Sequence, residues 1–213
     1  MGWWNRIKVL PVLDAYNLWA QTYHTESNPI KKMSDEFVAS QLPALKNKSV
    51  LDAGCGTGKF CVIASEQNAS FVKGIDLSPV MIEEAKKNCP TATLECADLA
   101  TATIEPSRYD VIICGLVLGH IGETEPVLQK LAAALKTGGR IILTDFHPYQ
   151  SMMKAKRTFK DTRSGKTFEV KHNIHKLDEY FTILRNAGIE LKVFNEPLFE
   201  GKPVIFGISG VRS

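Results

Sequence analysis

The glycine-rich stretch at residues 50–60 constrains the fold of this chain more than any other feature. Its sequence, VLDAGCGTGKF, predicts a buried strand that ends in a glycine turn and continues into a helix. Glycine has no Cβ and tolerates unusual dihedrals, so such a turn lets the backbone approach a ligand closely. Doubly wound α/β folds bind nucleotides at this position, at the carboxyl end of a strand. However, Gly54, Gly56 and Gly58 follow a G-x-G-x-G spacing, not the G-x-G-x-x-G fingerprint of dinucleotide sites.

Acidic residues follow the next two predicted strands at the points where those strands end. Residues 70–75 predict a second strand that leads into Asp76, twenty-two residues after Gly54. This separation is close to the roughly 20-residue offset at which an acid meets a ribose diol, and an ionised carboxylate can accept both hydroxyl hydrogen bonds. Residues 92–97 predict a third strand that leads into Asp98. The carboxyl ends of parallel strands share one rim of a sheet, so both acids are expected near the glycine turn.

Strand and helix patterns alternate from Ser49 to Phe146, which predicts right-handed βαβ crossovers and a parallel sheet with helices on both faces. A fourth strand is expected at residues 109–114, and residues 136–143 predict a helix end, a turn and a fifth strand. The rest of the chain predicts a helix at 176–187, closed by Gly188, and then two strands at 189–194 and 204–211.

Taken in this order, the motifs resemble class I S-adenosylmethionine-dependent methyltransferases of the small-molecule type, similar to those of quinone biosynthesis and those acting on malonyl-carrier protein. The resemblance covers residues 12–146 well and the remainder in outline. It implies S-adenosylmethionine as cofactor and S-adenosylhomocysteine as product. It also implies that Asp76 holds the ribose, that Asp98 and Leu99 meet the adenine, and that Tyr23 closes the methionine end. The other residues that we expect at the cofactor site are Asp52, Gly54, Cys55, Gly56, Thr57, Gly58, Leu77, Met81, Ala97 and Cys114.

The resemblance implies an α/β fold class: a doubly wound, mostly parallel, seven-stranded Rossmann-like sheet with helices on both faces, an N-terminal helical lid and a hairpin insertion before the last helix. We expect one methyltransferase domain over residues 1–213. Within it, residues 1–46 would form the lid, 47–146 the cofactor-binding core, 147–175 a substrate-side insertion, and 176–213 the C-terminal helix and strands.

The predicted lid carries aromatic side chains at helical spacing. Residues 13–23 have a helical pattern in which Tyr16, Trp19 and Tyr23 share one face. That face either packs against the sheet or closes over the methionine end of the cofactor and the acceptor, and both roles are compatible. We expect Tyr16, Trp19 and His172 to contact the acceptor.

The predicted insertion is strongly basic. Residues 159–170 alternate around Ser-Gly and predict a β-hairpin, and residues 151–176 contain eight bases but only two acids. Such a surface is either an ordinary solvated face or an electropositive rim that attracts an anionic acceptor, whether a carboxylate, a phosphate, an acidic carrier protein or RNA. Aromatic residues are sparse there, which argues against a stacking platform for nucleic acid.

Two histidines are candidate catalytic residues. His120 follows the fourth strand and His147 follows the fifth, so both are expected at the carboxyl-end rim beside the transferred methyl group. Histidine titrates near neutral pH and can take a proton from a hydroxyl or a carbon acid. His175, at a helix start, is expected to be structural.

The composition restricts partners and location. The five cysteines form no CxxC pair, so we expect free thiols in a reducing cytosol and no metal site. No apolar run approaches the roughly 20 residues that span a bilayer, so the prediction is a cytoplasmic protein without a membrane partner.

The function that we predict is methyl transfer to oxygen or carbon of a small, anionic metabolite or of an acyl group on an acidic carrier protein, with nucleic acid disfavoured. Three alternatives stay open. The chain could be an RNA or protein methyltransferase that uses residues 151–176, or a non-catalytic S-adenosylmethionine-binding module. The third alternative, an NAD-type oxidoreductase, is opposed by the glycine spacing and by Asp98.

Overall fold

The computed structural model describes residues 7–20, Tyr23 and residues 28–213. In these ranges the strands are β1 (Lys8–Leu10), β2 (Ser49–Ala53), β3 (Phe71–Asp76), β4 (Thr93–Cys96), β5 (Tyr109–Gly115), β6 (Leu135–Phe146), β7 (Thr158–Lys160), β8 (Thr167–Val170), β9 (Ile189–Asn195), β10 (Leu198–Phe199), β11 (Lys202–Pro203) and β12 (Ile205–Arg212). The helices are α1 (Val12–Trp19), α2 (Pro29–Gln41), α3 (Lys59–Glu66), α4 (Pro79–Asn88), α5 (Thr124–Ala134), α6 (Pro148–Met152) and α7 (Leu177–Asn186), and Leu118–His120 form a 3₁₀ turn.

The central sheet has seven strands in the order β4-β3-β2-β5-β6-β12-β9. The first five strands pair in parallel, and β12 is antiparallel to both of its neighbours. The predicted α/β fold class, with a mostly parallel seven-stranded sheet, is confirmed. One local difference is that the connection between β9 and β12 is not a simple turn, because it contains the small hairpin of β10 and β11.

The two central strands are buried on both faces. Leu51 of β2 and Ile112 of β5 pack in one apolar cluster with α5 and α7. Their neighbours Val50 and Val111 point the other way and pack in a second cluster with α2 and α3. This alternation explains why both strands are nearly continuous runs of apolar residues, since helices cover the sheet on both sides.

The strand order places a crevice at the junction of β2 and β5. From β2 the chain adds β3 and β4 on one side of the sheet, and from β5 it adds β6 on the other. The connections therefore diverge and leave an opening beyond the carboxyl ends of β2 and β5, where doubly wound folds bind ligands.

A small second sheet joins the two segments that lie outside the core. β7 and β8 form an antiparallel hairpin, and β1 pairs in parallel with β8. Helix α1 packs on this sheet through Trp19, whose ring stacks on Phe159 at a centroid distance of 5.1 Å. The N-terminal segment and the insertion are thus one packed unit. Helix α1 ends at Trp19 and is shorter than predicted, and Tyr23 follows in a turn.

No helix in the described ranges is both long enough and apolar enough to cross a bilayer.

Candidate functional site

The glycine turn between β2 and α3 adopts the left-handed backbone that its composition allows. Gly54, Gly56 and Gly58 have φ angles of 82°, 52° and 85°. A Cβ at Gly54 would lie 2.1 Å from a methyl group of Val117, and one at Gly58 would lie 3.1 Å from the Cβ of Ala85. Gly56 faces more open space. The turn is therefore packed from behind and open on the side that faces the crevice.

Asp76, at the end of β3, ties the glycine turn to the next helix. Its Oδ2 accepts a hydrogen bond from the Gly56 N–H at 2.8 Å, and its Oδ1 accepts one from the Ser78 N–H at 2.9 Å. Ser78 in turn caps α4, because its hydroxyl oxygen accepts from the Met81 N–H. Burial raises the pKa of Asp76, while these backbone N–H groups oppose the shift. The carboxylate is held in one orientation at the edge of the crevice.

A cavity of about 360 Å³ occupies the crevice. It touches the carboxyl ends of β2, β3, β4 and β5, through Gly54, Asp76, Ala97 and Gly115. The residues of this first cavity that the sequence analysis had named are Tyr16, Tyr23, Gly54, Gly56, Asp76, Leu77, Ala97, Asp98, Leu99 and His120. Those that it had not named are Val12, Leu13, Ser78, Ala100, Gly115, Leu116, Val117, Ile121 and Gly122. Most residues of the second group follow the end of a strand, and Val12 and Leu13 lie on α1. For those that follow a strand, their position just after it was the sequence signal that could have identified them.

Asp52 lies in a recess of about 50 Å³ beside the first cavity, together with Cys55 and Thr57. The side chain is buried. Its one hydrogen bond to a side chain in the described part of the protein is a weak contact of 3.8 Å from the Cys61 thiol. Burial and then the neighbouring Asp76 raise the pKa of Asp52 to about 7. The site thus contains a buried carboxylate without a strong hydrogen-bond donor.

Three predicted cofactor residues do not reach either space. Met81 and Cys114 are fully buried beneath the site, where Cys114 belongs to the core cluster that includes α5. Gly58 packs against α4 behind the turn. In this structure all three support the cavity wall from behind, since the Met81 and Cys114 side chains point into the core and Gly58 is the N-cap residue of α3. Their contact with the cofactor stays a prediction.

Three side chains from distant parts of the chain form a hydrogen-bonded row at the first cavity. The Tyr16 hydroxyl lies 3.0 Å from His120 Nε2, and His120 Nδ1 lies 3.2 Å from the Lys171 carbonyl oxygen. Since a carbonyl can only accept, Nδ1 carries the proton and Nε2 accepts from Tyr16. Arg157 Nη2 donates to the Tyr16 oxygen at 3.1 Å. Burial, reinforced by the charge of Arg157, lowers the pKa of His120 well below its usual value, so the imidazole is neutral at pH 7.

A second cavity of about 310 Å³ adjoins the first. The two share Tyr23 and Leu116, and Leu116 has a φ of 58° that turns the chain between them. Trp19 and His172, both predicted to contact the acceptor, line the second cavity. Arg157 also lines it, although the sequence pattern marks this residue only as one of the bases of the insertion.

His147, which the sequence predicts at the methyl-transfer centre, is not among the residues that line the first cavity. Its Nε2 lies 2.7 Å from a carboxylate oxygen of Glu196, and its Nδ1 accepts from the Tyr149 N–H and so caps α6. The ring lies near Phe206 of β12, the antiparallel strand that pairs with β6. Both ring nitrogens are used in structural hydrogen bonds, because β12 and the segment after β9 lie against the end of β6, where His147 is placed.

Comparisons with known proteins agree with this geometry. The family model described as "Methyltransferase domain" matches residues 44–188. A ubiquinone biosynthesis O-methyltransferase of Coxiella burnetii is 30% identical over 121 residues, which cover 55% of this chain and 50% of that protein. A tRNA U34 carboxymethyltransferase of Hahella chejuensis is 34% identical over 111 residues, which cover 50% of this chain and 34% of that protein. The chain thus spans half or less of the length of these two relatives.

A solved structure extends the likeness to almost the whole fold. Magnesium protoporphyrin IX methyltransferase from Synechocystis PCC 6803, with bound SAH, superposes with a TM-score of 0.68 at 23% identity, covering 95% of this chain and 98% of that one. At this identity the likeness concerns the fold. The family match, which spans the glycine turn, the acids after β3 and β4 and the strands that carry them, shows that this chain belongs to the methyltransferase domain family.

Proposed function

We propose that the protein is an S-adenosylmethionine-dependent methyltransferase that methylates oxygen or carbon of a small, anionic metabolite, either free or as an acyl group on an acidic carrier protein. The observation that carries the proposal is the first cavity. It brings the glycine turn, Asp76 and Asp98 around one space, in the order in which methionine, ribose and adenine follow each other in the cofactor.

The residues present fit this cofactor. Asp76 is held by backbone N–H groups with its carboxylate at the cavity edge, where it can accept from ribose hydroxyls. Asp98 and Leu99 line the part of the cavity beyond β4 and would hold the adenine. Asp52 is a buried carboxylate whose one side-chain donor among the described residues is a thiol, and the α-ammonium group of the cofactor would supply a stronger donor. A buried carboxylate without a strong donor is costly, so a cationic ligand group in the recess stabilises the folded protein.

The cofactor supplies a methyl group already activated on a sulfonium sulfur. The chain therefore has to align the acceptor with that methyl group and exclude water. Tyr23 and Leu116, which separate the two cavities, lie where the acceptor would meet the methyl group.

Tyr16 and His120 can remove the proton that a hydroxyl acceptor loses. Tyr16 passes its hydroxyl proton to the free Nε2 of neutral His120 while its oxygen takes the proton of the acceptor. Such positioned acid–base groups contribute roughly 10²–10⁴ in rate. An acceptor that is methylated on a carboxylate oxygen would not need this pair.

The relatives support the reaction class more than the acceptor. Their printed names refer to ubiquinone biosynthesis in one case and to tRNA in another, so one shared core serves different acceptors. The acceptor must be argued from the segments outside that core, since function resides in the site and not in the fold.

Calorimetric titration with S-adenosylhomocysteine, with NAD as the control ligand, tests the cofactor. Micromolar binding of S-adenosylhomocysteine alone is the expected result. Labelled-methyl transfer from S-adenosylmethionine into pools of phenolic, carboxylate and carrier-bound acceptors then tests the reaction. Binding of NAD in its place would overturn the proposal, and cofactor binding without transfer to any pool would favour a non-catalytic binding module.

A further inference from the structure

We propose that the second cavity is the acceptor subsite for an aromatic carboxylate, and that Arg157 is the residue that holds the carboxylate group. This inference rests on the proposed function, because it assigns the acceptor class of the same enzyme. It uses a cavity and a side chain that the cofactor does not need.

The charges around the second cavity favour an anion. The described residues that line it include Lys31, Lys156 and Arg157 but no aspartate or glutamate. Lys31 is paired with Asp35 at 3.4 Å, and Lys156 with Glu169 at 2.7 Å. Arg157 forms no salt bridge with any carboxylate of the described chain. Among the described residues that line the cavity, Arg157 is therefore the one Lys or Arg without a salt bridge, although its charge also acts on the buried Asp145.

The guanidinium is fixed in place but incompletely bonded. Nη2 donates to the Tyr16 hydroxyl oxygen and, at 3.3 Å, to the Leu116 carbonyl. The guanidinium carbon lies 4.0 Å from the ring centre of Phe146. Nη1 is out of contact with solvent and has no acceptor among the described residues. An unsatisfied, charged donor inside a protein is costly, and after a small rotation of the side chain a carboxylate in the cavity would supply the acceptor.

The apolar walls favour a flat ring next to the carboxylate. Trp19, Tyr23 and Phe146 line the cavity together with Arg157. Its volume of about 310 Å³ is at the lower end of the range for small-molecule sites, roughly 300–1,000 Å³. A single-ring carboxylate therefore matches both the size and the lining.

The position of Arg157 connects the subsite to the transfer site. Its Nη2 contacts Tyr16 and Leu116, and both residues line the first cavity. A ring anchored by its carboxylate in the second cavity would thus direct its opposite end past Leu116 towards Tyr16 and His120. The charge of Arg157 also contributes to the lowered pKa of His120, so a bound carboxylate would make His120 a better proton acceptor.

The test is a titration of protein saturated with S-adenosylhomocysteine. The probes are 4-hydroxybenzoate, the neutral isostere 4-hydroxybenzamide, and phenyl phosphate. We expect the benzoate to bind about tenfold more tightly than the amide, which is the discrimination of one charge-assisted hydrogen bond. Arg157→Gln should abolish that difference and leave S-adenosylhomocysteine affinity unchanged. Lys160→Gln, an exposed change in the same insertion and outside both cavities, should preserve it.

A second readout covers the case in which Arg157→Gln does not fold. In the wild-type protein, the side-chain Nε–H resonance of Arg157 should shift on addition of the benzoate and not on addition of the amide. Four outcomes would each overturn the inference. The benzoate and the amide bind equally, neither of them binds, phenyl phosphate binds more tightly than the benzoate, or Arg157→Gln keeps the preference for the benzoate. If the benzoate binds through Arg157 while S-adenosylhomocysteine does not bind at all, the proposed function fails and the anion subsite stands.

Discussion

Replacing Asp52 with asparagine should change how the stability of the protein depends on pH. The pKa of Asp52 is about 7 in the folded protein because burial, and then the nearby Asp76, disfavour its ionised form. In the unfolded chain the same group titrates near 3.8. Between these values the folded state holds a proton that the unfolded state has lost, so stability falls as pH rises.

The size of this effect follows from the pKa difference. Each full pH unit in the window costs about 1.4 kcal/mol, and the slope flattens as the pH reaches the folded-state pKa, so the wild-type protein should lose about 2 kcal/mol through Asp52 between pH 5 and pH 7. Asp52→Asn keeps the shape of the side chain and does not titrate. The stability of the variant relative to wild type should therefore rise by about 2 kcal/mol over the same interval. Urea unfolding of both proteins at pH 5, 6 and 7 measures it.

Asp110→Asn is the matched control, because the shift there has the opposite sign. Burial alone would raise the pKa of Asp110, but hydrogen bonds from Lys136 and Ser49 outweigh it and lower the pKa well below its usual value. Its stabilising contribution is present above about pH 4 and is lost as pH falls further. The control variant should be less stable than wild type by a nearly constant amount from pH 5 to pH 7.

A constant difference between wild type and Asp52→Asn over this interval would refute the reasoning, since it would mean that Asp52 is ionised in the folded state. Saturating S-adenosylhomocysteine offers a further check. If its ammonium group pairs with Asp52, the ionised form is favoured, and the pH dependence of the wild-type protein should become shallower.

Three further predictions concern the ribose site, the two histidines and the glycine turn. Asp76→Ala should weaken S-adenosylhomocysteine binding by about 1.5–3 kcal/mol, the scale of hydrogen bonds to a charged group; unchanged calorimetric affinity in a folded variant would remove the ribose assignment. His120→Ala should lower turnover of a hydroxyl acceptor by roughly 10²-fold or more at unchanged cofactor affinity. His147→Ala should reduce thermal stability and leave turnover intact. Loss of turnover in His147→Ala, with turnover kept in His120→Ala, would support a catalytic role for His147. Gly54→Ala should lower the free energy of unfolding by several kcal/mol, because the new Cβ would lie 2.1 Å from a methyl group of Val117. Gly138→Ala is the control: Gly138 has a similar φ and open space around it, so the loss should be only about 1–2 kcal/mol. Equal losses of the two variants in urea unfolding would contradict the steric argument.

Local rules explain how much of the cofactor site could be predicted. A strand that ends in a glycine turn, and acids that end the next two strands, are short-range patterns. The parallel sheet then brings Gly54, Asp76 and Asp98 to one rim, whatever the details of packing. Met81 on α4 and Cys114 on β5 face the core instead. An error of one residue in the position of a strand end exchanges the side chains that face the cavity for those that face the core. Sequence patterns do not place strand ends that accurately.

The acceptor side depended on contacts between distant residues. The pairing of β1 with β8 joins residues about 160 positions apart, and no sequence pattern announces it. That pairing brings Arg157 to Tyr16, 141 residues away. The surroundings of His147 could not be predicted for the same kind of reason, because Glu196, on the connection after β9, contacts its ring.

The amino-acid sequence by itself therefore determined the fold class, the family resemblance and the rim on which the cofactor residues meet, because each depends on spacing along the chain. Only the tertiary structure decided which aromatic and basic side chains of the lid and the insertion meet behind Leu116. Those contacts join segments whose separation along the chain carries no periodic signal, and their geometry follows from how helix α1 packs on the small second sheet.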